Sequence, residues 1–169
     1  MSHAGLIENP EVVHRTTVAP IVRRVVLLEL FSRVASVLTI AIGGLVLVGW
    51  FFHIRTLQSV SPGLVTMKVN TAAAFVLTGT SLGLLRAGRS PTQMRYLGCA
   101  CAGLAALVGF LTLTEIVFGW ELGIDLLLAP AAPGAVDAEA SGRMAPATAV
   151  SFLLIGVALL LLEIGRAHV

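Results

Sequence analysis

Charge is scarce in this sequence. Only 12% of its residues are Asp, Glu, Lys or Arg, against about a quarter in a soluble domain. So little charge leaves too little polar surface to clothe a water-soluble globule, although 169 residues would suit one such domain. Cysteine is scarcer still, with Cys99 and Cys101 alone. No second pair or Cys/His cluster completes a zinc site, and an i, i+2 pair points to different faces of a helix. Both read as reduced thiols packed as small apolar residues. The P-loop, G-x-G-x-x-G, H-E-x-x-H and C-x-x-C patterns are all missing. No catalytic residue, metal ligand set, cofactor or nucleic-acid partner is therefore expected.

Apolar runs fill the space. The charges delimit four: 34–52, 69–85, 96–114 and 144–162, of 19, 17, 19 and 19 residues. At 1.5 Å per residue, 19 residues reach about 28 Å, close to the roughly 30 Å hydrocarbon core. The fourth run holds ten Leu, Ile, Val or Phe, for about −3 to −6 kcal/mol of insertion free energy. The second is the weakest, because Asn70, Thr71, Thr78, Thr80 and Ser81 oppose seven such residues. Gly79 and Gly83 stand in a GxxxG spacing through which this span would lean on a neighbour. The expected fold is an all-α membrane protein of four transmembrane helices in a lipid bilayer.

The flanks differ from the spans. Residues 1–33 form a first segment, in which 20–33 (PIVRRVVLLELFSR) reads as a juxtamembrane helix with arginines at head-group level. Residues 1–19 show no periodicity and are expected to be loose. The stretch 129–142 (APAAPGAVDAEASG) reads as an aqueous loop too short for a folded sensor domain. Lys and Arg number four before the first span, three in the second loop and one in the tail. The first and third loops carry two and one. The positive-inside rule then places both termini and the second loop in the cytoplasm.

The second and fourth runs repeat each other at an offset of 77 residues. MKVNTAAAFVLTGTSLGLL (67–85) lies over MAPATAVSFLLIGVALLLL (144–162), with nine of 19 positions identical. The matches include Met67/Met144, Thr71/Thr148, Phe75/Phe152 and Gly79/Gly156. The chain thus reads as two helix hairpins in the same orientation, a parallel repeat. Gly79, Gly83, Gly156, Thr71 and Thr148 are the expected packing residues. Each threonine either caps a first turn or bonds across helices.

Two ionisable residues stand out near the outer ends of the spans. His53 follows Trp50, Phe51 and Phe52, which reads as an aromatic belt, or as a pH- or metal-responsive site. Glu115 ends the third run. It either marks the helix end and reaches water, or forms a polar site with Trp120, Glu121 and Asp125.

Three stretches carry a family resemblance: Val65-Thr66-Met67-Lys68-Val69-Asn70-Thr71-Ala72, Phe118-Gly119-Trp120-Glu121-Leu122-Gly123-Ile124-Asp125 and Gly142-Arg143-Met144-Ala145-Pro146-Ala147-Thr148-Ala149. They resemble the N-terminal membrane region of bacterial sensor histidine kinases, and of some diguanylate cyclases, over roughly residues 30–162. Val69 stands where proline is frequent in that pattern, and Ala147 where asparagine is. The resemblance implies a sensory input region of the bacterial inner membrane, a homodimer through the full-length protein, and a response regulator reached through an output domain. Residues 163–169 read as a truncated or non-native tail, since Ile-Gly-Arg-Ala-His-Val matches a translated sequencing adapter. The alternative is a stand-alone four-helix membrane protein, such as a transporter subunit or assembly factor.

Overall fold

A computed structural model describes residues 10–54, 57, 67–86, 91–120 and 144–167. Four helices and no strand occur among these described residues. They are α1 (Pro10–Phe51), α2 (Val69–Arg86), α3 (Thr92–Phe118) and α4 (Pro146–Ala167). α1 starts earlier than expected, at Pro10, and takes in ten residues read as loose. Proline suits that position, because its fixed φ and missing N–H cost nothing in a first turn.

Three helices are long and apolar enough to cross a membrane: Val22–Phe51 within α1, all of α3, and Pro146–Arg166 within α4. α2 is not among them. Its 18 residues include Asn70, three threonines, Ser81 and Arg86. The bundle compensates by position. Among the described residues α2 packs against α1, α3 and α4, whereas α1 packs against α2 alone. Asn70, Thr78 and Ser81 are buried, and Thr71 and Thr80 half-buried, so little of this polar face meets the surroundings.

Each hairpin closes along a seam of small residues. In the first, a methyl added to Gly43 would lie 2.6 Å from the Ala72 carbonyl oxygen. One added to Gly79 would lie 3.0 Å from the Ser36 carbonyl oxygen and 2.8 Å from Ile40 Cγ1. Ser36 Oγ donates to the Gly79 carbonyl at 2.7 Å and sits 2.8 Å from the Cβ position of Gly83. The close approach expected of Gly79 and Gly83 is thus present, against α1. In the second hairpin, Gly109 stands 2.5 Å by the same measure from the Ala149 carbonyl oxygen. Gly156 stands 2.7 Å from the Ala102 carbonyl oxygen and from Ala106 Cβ.

These contacts superpose. Ser36, Ile40 and Gly43 correspond to Ala102, Ala106 and Gly109 at an offset of 66, while Ala72 and Gly79 correspond to Ala149 and Gly156 at 77. The repeat therefore extends to the first helix of each hairpin, where identity is too low to show it. Between hairpins, the equivalent Phe75 and Phe152 meet edge-on, 5.4 Å apart at 79°, a geometry worth about 1 kcal/mol beyond burial. A twofold relating the hairpins would set α1 against α4 as α2 meets α3. Among the described residues α1 makes no contact with α4, so the relation is not twofold.

Equivalent positions also end α1 and α3. His53 has φ 57° and Gly119, 66 residues on, φ 65°. At His53 the amides complete a Schellman pattern, Ile54 N–H to Gly49 O (2.8 Å) and His53 N–H to Trp50 O (3.4 Å).

Candidate functional site

The register of the bundle defines a polar layer at one end. Leu85 of α2 closes on Gly98 of α3, 2.7 Å from an added Cβ. The two helices run antiparallel, so Lys68 and Asn70 fall at the level of Thr112 to Glu115. On α3 the buried residues Gly98, Ala102, Ala105, Gly109, Thr112 and Glu115 follow one another at steps of three and four. This periodicity keeps Glu115 on the packed face to the helix end. Trp50 joins the same end, where its Nε1–H donates to the Met67 carbonyl at 2.9 Å.

Burial within this layer is deep. Asn70 and Glu115 are each 2% exposed and Thr112 is 1% exposed. The water-reaching placement of Glu115 therefore does not hold. Its carboxyl group lies inside the bundle, because the face that carries Gly109 and Thr112 also carries position 115. An acidic residue at such depth is rare in an apolar bundle. Asn70 and Thr112 supply amide and hydroxyl chemistry at that depth, and Lys68, half-buried at the same level, supplies a cation.

The other expected site residues are dispersed. Trp120 is exposed and stacks on Phe118 at 5.1 Å. His53 is exposed, at the helix terminus described above. Glu121 and Asp125 lie outside the described residues, as do 129–142. Thr71 and Thr148 are half-buried at the third helical position, so the capping position itself falls on Lys68 and Ala145. Cys99 and Cys101 are free thiols, half-buried and buried. Among the described residues no three of His, Cys, Asp and Glu gather as a metal site.

Two features escaped the sequence reading. The hydroxyls of Thr78 and Ser81 are buried in the centre of α2 with no hydrogen-bond partner among the described residues. Their i, i+3 spacing in an apolar run was the available signal. At the opposite end from Glu115, Glu163 is buried and bonded to Arg95 Nε of α3. Arg166 stands 3.9 Å from the same carboxylate and also donates to the Leu85 carbonyl of α2. Three helices are tied together there. The first hairpin holds the equivalent positions with charges exchanged, as Arg86 of α2 donates to the Glu29 backbone carbonyl of α1 at 3.4 Å.

No protein-family model, curated protein or solved structure matches this chain. The helices alone define its class, an α-helical protein with three segments apolar enough for a membrane.

Proposed function

We propose that the chain is a membrane-embedded sensory input region of a bacterial signal-transduction protein, a sensor histidine kinase. It would carry four transmembrane helices in two like-oriented hairpins, with both termini in the cytoplasm. The fourth span is α2, shielded from lipid by the other three helices. The observation that carries this reading is the buried Glu115–Asn70–Thr112 layer. It lies beside the start of α2, where one of the sensor-like motifs stands, and at the end that the charge distribution assigns to the outer face. A buried ionisable group at membrane depth is a functional feature by default. No separate soluble domain is needed to read a signal if the helices themselves hold it.

The test is Glu115→Gln in a full-length gene in which these helices are joined to their own output domain. The expected result is altered kinase output with unchanged membrane insertion. Unchanged output removes Glu115 from the site. Phosphatase and fluorescent-protein fusions at 57, 89, 135 and the C-terminus test the topology. A diguanylate cyclase downstream in the intact locus would change the output assigned but not the input role. A stop codon near residue 169 would favour the stand-alone alternative.

A further inference from the structure

The hydroxyls of Thr78 and Ser81 belong to neither end of the bundle. Thr78 lies eight residues along α2 from Asn70, about 12 Å at 1.5 Å per residue. Ser81 lies one turn short of Leu85, which closes on Gly98. Thr78 is 8% exposed and Ser81 0%. Neither oxygen meets a hydrogen-bond partner among the described residues. Other hydroxyls of the bundle do. Thr39, Thr114 and Ser151 donate to carbonyls of their own helices, and Ser36 donates across to Gly79. Packing does not call for hydroxyls here either. The repeat positions on α4 are Ile155 and Ala158, so the hairpin frame accepts apolar side chains. Burying a hydroxyl without a bond is costly. Two of them on one face point to a partner that both bond.

The geometry sets the size of that partner. Residues three apart on a helix carry their Cβ atoms about 5 to 6 Å apart on one face. Two oxygens at that spacing are too distant to bond each other, since an O–H···O bond spans about 2.8 Å. One oxygen atom placed between them reaches both. The wall opposite is made of small residues. The Leu85–Gly98 contact and the antiparallel run of α2 and α3 bring Cys101, Ala102 and Ala105 to this level, all buried. Cys101 carries a free thiol, a weak third donor or acceptor. A buried water requires about two to four polar partners.

We propose that Thr78 and Ser81 hold one water molecule between α2 and α3, at the centre of the bundle. Each hydroxyl bonds it, and the Cys101 thiol borders it. The water satisfies the polar centre of α2 without opening it to bulk solvent. The competing partners are the carbonyls one turn back, at Ala74 and Leu77, as Thr39 and Ser151 use in their own helices. The site does not depend on the sensory reading, since a stand-alone protein would bury the same two hydroxyls.

The full chain in lipid vesicles, with carbon-13 in threonine and serine, tests the site by water-edited solid-state NMR. Magnetisation from water should reach the Thr78 and Ser81 side chains several-fold faster than that of Thr39, which is bonded to its own helix. Thr78→Val and Ser81→Ala assign the two signals and remove one hydroxyl each at nearly constant volume. Each should lower the folding equilibrium constant about three- to tenfold. The double variant should lose no more than the larger single loss, because both act on one water. Transfer no faster than at Thr39 overturns the proposal. So do losses that simply add, the result for two hydroxyls bonded separately to Ala74 and Leu77. Stabilisation by either single variant overturns it too, because that marks a hydroxyl with nothing to bond.

Discussion

The two hairpins share a seam and differ at both of its ends. Gly43 and Gly79 in the first do what Gly109 and Gly156 do in the second, bringing backbone to backbone. Outside the seam the equivalences break. Gly49 stands where the second hairpin has Glu115, and Asn70 where it has Ala147. Glu29 and Arg86 stand where it has Arg95 and Glu163. The lesson is that the repeat specifies packing and that the individual chemistry has been placed at the helix ends. Close helix approach tolerates only small side chains at the seam, whereas the ends are free to hold charge.

The comparison breaks most visibly at the seam. Gly109→Val should cost at least about 2 to 3 kcal/mol, because its Cβ meets the Ala149 and Leu153 backbone, which cannot step aside. Gly43→Val should cost a similar amount, since it meets the Ala72 carbonyl. Reversible unfolding in a denaturing-detergent titration would measure both. A loss in one hairpin alone would show that the two seams are not equivalent.

The charged ends come next. Glu163→Ala leaves Arg95 and Arg166 without their carboxylate and should cost about 1 to 2 kcal/mol, discounted because Arg95 is 43% exposed. Exchanging the pair, as Arg95→Glu with Glu163→Arg, imitates the order found at Glu29 and Arg86 and should recover part of the loss. A double-mutant cycle by the same titration isolates that coupling. No recovery would mean that Arg166 and the Leu85 carbonyl, not the pair itself, hold this end.

The smallest effect lies at the helix termini. His53→Gly relieves a left-handed residue that carries a Cβ and should stabilise by about 0.5 to 1 kcal/mol. The mirror change, Gly119→His, should destabilise by about the same amount. Thermal unfolding, followed by alkylation of the buried Cys101 thiol, would register both shifts. A destabilised His53→Gly would give the imidazole a contact role beyond its backbone conformation.

Much of this was legible in the chain. Four helices occupy the four apolar runs, and Met67 to Leu85 against Met144 to Leu162 announced the duplication of α2 and α4. The matching of α1 to α3 was not legible. Ser36 and Ala102, or Ile40 and Ala106, need only be compatible with a glycine opposite, and that demand leaves little identity. Glu115 was visible as an unusual charge, but its depth was not. A residue near a helix end reaches water or the interior according to which neighbour covers that face. Glu163 was set aside with the tail, and only its meeting with Arg95, 68 residues earlier, places it in the bundle.

By itself the sequence determined the helices and their apolar character, because backbone hydrogen bonding and side-chain hydropathy act locally along the chain. It also determined half of the repeat, because Met, Thr, Phe and Gly recur at a constant spacing. Tertiary structure alone decided that the least apolar helix takes the central place, that Glu115 is enclosed, and that α1 and α4 end as open edges. Each of these depends on which faces meet across distant segments, and a linear pattern of polarity does not contain that information.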